Sequence, residues 1–116
     1  MRTIKRGDLF WVDFNPVKGS EQAGRRPAVV IQNDIGNAVA PTVIVAPLTT
    51  RHFTTNPLTK VRIPRGVAGL REPSVILFSQ IRTIDKSRLE GKIGRLPPTY
   101  LQQANRAIAI SVGLIA

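Results

Sequence analysis

Short apolar runs broken by proline, glycine and polar clusters make up most of the chain, and only the C-terminal end carries a helical period. Residues 8–14 alternate: Phe10, Val12 and Phe14 fall on one side, and Leu9, Trp11 and Asp13 on the other, the pattern of a strand. Asn15-Pro16 turns the chain into a polar loop bounded by Gly19 and Gly24. Residues 28–31 are too few and too β-branched for a helix and read as a buried strand. Pro27 takes that strand's first position, where a missing N–H costs least. Residues 33–37 are a dense turn signal, and 42–46 read as a second buried strand ended by Pro47. Residues 51–59 are polar, have no period and read as a mobile loop.

Residues 60–63 alternate charged and apolar positions, as an edge strand does. Residues 74–78 are apolar on both faces and read as a central strand, whose alternation fails at Ile81 and Ile84 in a bulge or an end. Residues 85–89 fit one helical turn and 91–96 a short basic strand. Pro97-Pro98 then introduces a helix, with Thr99 and Gln102 at capping-box spacing. One apolar line runs through Leu101, Ala104, Ile108, Val112 and Ile115, and a second through Ala107, Ile110 and Leu114. Two lines exceed what one core contact needs and point to a second surface, such as another subunit. Many short strands with a terminal helix predict a mainly β fold, a small strongly bent sheet or barrel, with residues 1–116 as a single domain.

Charge changes the picture most. The net charge is +10, which calls for a polyanionic partner: nucleic acid, an anionic membrane or an acidic protein. The N-terminus lacks the apolar core of a signal peptide, and no run approaches the ~20 apolar residues of a membrane span, so a cytoplasmic protein is the simplest reading. The absence of cysteine excludes disulfides and thiolate metal sites, and one histidine, His52, is too few for a zinc site within one chain. Arg25 and Arg26 stand where the polar loop meets the buried strand. A guanidinium anchored at a strand end can grip an anion bidentately; the plainer alternative is solvated charge. Trp11 reads as core or interface, with base stacking as the alternative.

Several separated motifs, Arg6-Gly7-Asp8, Gly19-Ser20-Glu21-Gln22, Arg26-Pro27, Gln32-Asn33-Asp34, Pro41-Thr42, Thr49 and the run from Gln80 to Lys86, occur in an order that resembles the MazF/PemK family of toxin endoribonucleases. The likeness spans nearly the whole chain. It implies an SH3-like barrel with attached helices, assembled as a homodimer. It also implies cleavage of single-stranded RNA at short sequence motifs, leaving a 2′,3′-cyclic phosphate and a 5′-hydroxyl. An acidic antitoxin of the MazE type, its tail lying across the dimer groove, is the implied protein partner, and the positive charge suits it.

RNA can be cleaved without metal, because its 2′-hydroxyl attacks the adjacent phosphorus. The reaction needs a base, an acid and stabilisation of the phosphorane. One histidine rules out a two-histidine design, and the seven carboxylates are scattered without a metal-binding motif, so no metal or other cofactor is expected. Arg26, Thr49, Glu21 and nearby amides remain. The resemblance matches the family's catalytic arginine to Arg26, as phosphorane stabiliser, and its catalytic threonine to Thr49, as a hydrogen bond to a phosphate oxygen. An arginine pKa above about 12 makes a poor base, so Glu21 is the candidate for that role. Ser20, Gln22, Arg25, Ser79 and Gln80 are the candidate RNA contacts, reading exposed base edges or phosphate; for Ser20 and Ser79, turn and strand-end polarity is the alternative. Two rivals stand beside this reading. A gyrase poison of the CcdB type depends on a C-terminal tryptophan-glycine-isoleucine, whereas this chain ends Gly113-Leu114-Ile115-Ala116. A non-catalytic RNA-binding barrel accounts for the charge equally well.

Overall fold

Every strand pairing in the computed structural model, which describes residues 3–51 and 57–116, is antiparallel. The strands are β1 (Asp8–Asp13), β2 (Arg25–Val30), β3 (Thr42–Thr49), β4 (Lys60–Ile63), β5 (Ser74–Leu77), β6 (Arg82–Asp85) and β7 (Leu89–Arg95), with helices α1 (Asp34–Val39) and α2 (Pro98–Ser111). The sheet order is β4-β5-β3-β2-β1-β7, with β6 also on β3. The fold is therefore mainly β with a C-terminal helix, as expected, but among the described residues the hydrogen-bonded ladder does not close from β4 to β7.

Backbone packing bridges that gap. The connection after β4 makes a 3-10 turn at Val67–Gly69 and lies flat against β7. A Cβ at Gly94 would stand 2.2 Å from the Ala68 carbonyl oxygen, and one at Gly69 would stand 2.4 Å from that of Ile93. Only glycine at both positions permits this approach, and Gly69 also holds φ at +80°.

The alternation in β1 divides the core as its sequence requires. Leu9 joins Val29, Leu48, Ile76 and Phe78 beneath α2, while Phe10, Val12 and Phe14 join Ala28, Val45 and Ile84 on the other face. Ala104 and Ala107 let α2 settle closely on the first group. Beyond it, Val112, Leu114 and Ile115 stay exposed, so the second apolar line is only partly covered.

Four local expectations need correction. The turn signal at 33–37 is the start of a helix: Asn33 is the N-cap of α1, its Oδ1 accepting from the Gly36 N–H at 2.8 Å. β2 begins at Arg25, so Pro27 is inside the strand, opposite Trp11. Pro47 does not end β3. It lies where pairing with β6 has stopped at Val45 and pairing with β5 has yet to start at Leu48, so its missing N–H leaves no ladder bond unmade. The capping box is absent: Pro97 caps α2 without a side-chain bond and Pro98 supplies the first helical position, placing Thr99 inside the helix. The failed alternation after 78 is a 3-10 turn, Phe78–Gln80, between β5 and β6. The turn expected at 85–89 is the 3-10 turn Lys86–Arg88. His52 lies outside the described residues, as does most of the expected 51–59 loop, which ends in a 3-10 turn at Pro57–Thr59.

Candidate active site

Residues 26 and 49 are far apart in sequence and meet through one pairing. β2 and β3 run antiparallel with Ala28 opposite Pro47 and Val29 opposite Ala46. Continuing that register brings Arg26 level with Thr49 at the open end of both strands. Both line a cleft of about 290 Å³, together with Trp11, Arg25, Thr50 and Arg51.

The Arg26 guanidinium is fixed by carbonyls. Nε and Nη2 donate to the Ala23 oxygen at 2.9 and 2.7 Å, and Nη1 donates to the Leu48 oxygen at 3.4 Å. Each terminal nitrogen keeps a further N–H for a ligand. Partial burial, and then the neighbouring Arg51 cation, push the Arg26 pKa below its ordinary value. Both causes penalise the charged form, and the attraction of an anionic ligand would offset them. Thr49 is buried, and its Oγ1 accepts the Arg51 N–H at 3.2 Å, which fixes the hydroxyl at the cleft wall and leaves its proton to donate.

The remaining candidates gather in an adjoining hollow of about 420 Å³. Ser20, Glu21, Gln22, Ser79 and Gln80 all line it, with the unanticipated cations Lys18 and Arg82. Glu21, the candidate base, is therefore not a lining residue of the Arg26–Thr49 cleft; its Oε1 accepts the Lys18 N–H at 2.6 Å. Gln80 holds the loop in place: its Oε1 accepts the Gln22 N–H at 2.9 Å and its Nε2 donates to the Ser20 carbonyl at 3.3 Å. The same loop presents the Ala23 carbonyl to Arg26 and so links the hollow to the cleft through the chain. Arg82 lies over the Phe14 ring at 5.4 Å and donates to the Phe14 carbonyl at 3.2 Å.

Arg25 leaves β2 on the face opposite to Arg26. It pairs with Glu90 and lies 4.8 Å above the Trp11 ring. Arg51, Lys18 and Arg82 were missed because isolated basic residues carry no local pattern; only the fold places Arg51 at the cleft and Lys18 and Arg82 at the hollow. Among the described residues, no group of three or more histidine, cysteine or carboxylate side chains is placed to hold a metal. Arg6 and Asp8, from the motif that began the resemblance, are structural. Arg6 donates to the Ile31 carbonyl and Asn105 Oδ1, and buried Asp8 receives Arg95 at 2.9 Å.

The family model described as "PemK-like, MazF-like toxin of type II toxin-antitoxin system" matches residues 5–112. A protein named Endoribonuclease MazF from Staphylococcus saprophyticus is 48% identical over 111 residues, covering 96% of this chain and 92% of that one. The crystal structure of MazF from Deinococcus radiodurans superposes with a TM-score of 0.84 at 28% identity, over 97% of this chain and 99% of that one. A MazE–MazF crystal structure from the same organism superposes with a TM-score of 0.77 at 28% identity, over 99% and 100% of the two chains. With a match across nearly its whole length and a cleft that unites Arg26 with Thr49, this chain belongs to the PemK-like, MazF-like toxins of type II toxin–antitoxin systems.

Proposed function

We propose that this toxin endoribonuclease cleaves single-stranded RNA by metal-independent transesterification, at short sequence motifs, in the Arg26–Thr49 cleft. The observation that carries the proposal is the Arg26 guanidinium, forked onto the Ala23 and Leu48 carbonyls beside the Thr49 hydroxyl. A scissile phosphate in the cleft accepts from the remaining Arg26 N–H groups and from Thr49. Attack by the 2′-oxygen forms the 2′-O–P bond, and the P–5′-O bond breaks. The 2′ proton passes to solvent and the departing 5′-oxygen takes one up. Arg26 binds the extra negative charge of the phosphorane more tightly than that of the ground-state phosphate, which is what accelerates the step. The hollow holding Ser20, Glu21, Gln22 and Gln80 receives neighbouring nucleotides, with Lys18 and Arg82 against their phosphates.

The protein partner is an acidic antitoxin, in keeping with the +10 charge and the Deinococcus MazE–MazF assembly. The exposed Val112, Leu114 and Ile115 at the end of α2 fit a homodimer. No helix among the described residues is long and apolar enough to cross a membrane, and the cytoplasm, where RNA is available, is the proposed location. The match to the MazF-like family model and to curated endoribonucleases disfavours the gyrase-poison reading.

The test is incubation with a long single-stranded RNA in EDTA, mapping the cuts and identifying the ends. Discrete cuts with cyclic-phosphate and 5′-hydroxyl ends are expected. Binding without cleavage would reduce the chain to an RNA-binding module, and cleavage abolished by EDTA would overturn the metal-independent mechanism.

A further inference from the structure

A second cleft, of about 540 Å³, opens directly beside the first and shares Trp11, Arg25, Pro27, Thr50 and Ser74 with it. Its far wall is the 69–72 segment held against β7 by the paired glycines, with Arg71 and Glu72 at its rim. Its size lies within the ~300–1,000 Å³ range of small-ligand sites. Neither core group includes Trp11, the chain's one tryptophan, although Leu9 and Phe10 beside it are fully buried.

The reason is visible in the strand register. Trp11 faces Pro27, and Asp13 faces Arg25, so Arg25 is the diagonal neighbour of Trp11 on one face of the sheet. Its guanidinium lies 4.8 Å from the indole centroid and is pinned there by Glu90 on β7. The Arg25 side chain is nevertheless 55% exposed, which leaves the outer face of the guanidinium open to the cleft. A planar cation laid on an aromatic ring and held by a carboxylate presents a flat, pre-ordered surface. Nucleobases stack on guanidinium planes as they do on aromatic rings.

We propose that Arg25, laid on Trp11 and pinned by Glu90, is the stacking platform for one RNA nucleobase next to the phosphate that Arg26 holds. The proposal rests on the RNA-cleaving reading above. Stacking itself accepts any base. Discrimination comes at the rim, where the Glu72 carboxylate accepts from a base amino group and Arg71 donates to a base carbonyl. The platform thus fixes one nucleotide of the cleavage motif from the side of the phosphate away from the Gln22–Gln80 hollow.

Because the chain has a single tryptophan, its intrinsic fluorescence reports on this platform alone. The experiment titrates the protein with an oligonucleotide made uncleavable by a 2′-O-methyl group at the mapped cut. The same oligonucleotide is then used with an abasic residue on either side of the cut. Binding of the intact oligonucleotide is expected to change Trp11 emission, and one of the two abasic versions is expected to abolish the change. In cleavage assays, Arg25→Gln should lower kcat/KM about ten- to a hundredfold on the intact substrate and have little effect on the matching abasic one. Trp11→Phe should retain most activity, whereas Trp11→Leu should mimic Arg25→Gln. Emission indifferent to both abasic sites, or an Arg25→Gln defect as large on abasic substrates as on intact ones, overturns the platform. Wild-type protein that fails to cut RNA at all defeats the underlying enzyme reading instead, and that result appears before any variant is made.

Discussion

Replacing Arg26 separates the roles that its geometry combines. The guanidinium makes three hydrogen bonds to two carbonyls and keeps further N–H groups for the phosphate. In Arg26→Ala the Ala23 and Leu48 carbonyls lose a donor at the mouth of an open cleft, where water substitutes. The stability cost is therefore small, on the order of 1 kcal/mol, which for a domain of this size moves Tm by about 5 °C. The rate cost is much larger. Losing one donor aimed at developing charge typically removes about 3–4 kcal/mol of transition-state binding, or roughly 10²–10³ in kcat. Arg26→Lys keeps the charge but cannot span the Ala23 and Leu48 carbonyls while also donating twice to phosphate, so it should recover less than about tenfold. The assay is single-turnover cleavage of an oligonucleotide carrying one mapped site, in EDTA, beside thermal melts of the same preparations. Arg26→Lys within about threefold of wild type would show that a point charge suffices and would refute the forked-guanidinium argument. A loss of activity that follows the Tm change, variant by variant, would refute the catalytic assignment altogether.

Three further outcomes follow from the structure. Gln80→Ala removes the two bonds that Gln80 makes to the 19–24 loop, so KM should rise and kcat should fall by about tenfold through the misplaced Ala23 carbonyl; faster hydrogen exchange at the Gln22 amide checks the cause, and unchanged kinetics with fast exchange would uncouple the loop from Arg26. Gly94→Ala drives a methyl to 2.2 Å from the Ala68 carbonyl and should cost ~1–3 kcal/mol or more, read as a lower urea midpoint; an unchanged midpoint would mean that the connection yields freely. Asp34 accepts the Arg6 N–H and the Asn37 amide, which hold its pKa below the usual carboxylate value. Its folded pKa is depressed, so its contribution is complete above about pH 4 and is lost as pH falls below that through the folded value. Denaturation midpoints measured from pH 6 to 2 should fall less steeply in Asp34→Asn, and identical slopes would discount this carboxylate.

How far the sequence alone reaches depends on the range of the cause. β1, β4 and the faces of β1 are legible because alternation is a local consequence of the pleat. The helix at 34–39 is not, because Asn33 and Asp34 serve a turn and an N-cap equally well, and the choice is made by Gln32, Asn37 and Arg6 packing around them. Pro47 misleads for a related reason: whether a missing N–H matters depends on which neighbour strand is present at that point. The union of Arg26 and Thr49 needs the β2–β3 register, which no local pattern encodes; resemblance to a family supplied it. Gln80 carries a role that its residue type does not announce: both ends of its amide hold the loop in place.

The seam between Gly69 and Gly94 has an evolutionary consequence. A closed ladder ties every strand to a fixed stagger, so a residue inserted anywhere near the rim shifts pairings around the whole circumference. Here, among the described residues, one side is joined by close backbone contact without a β-ladder, and the wall bearing Arg71 and Glu72 hangs from that join. Residues can be added to or removed from that wall without disturbing any strand register, provided that the two glycines still meet. Selection can thus rewrite which nucleotide is accepted beside the cut while leaving the arginine–threonine pair untouched.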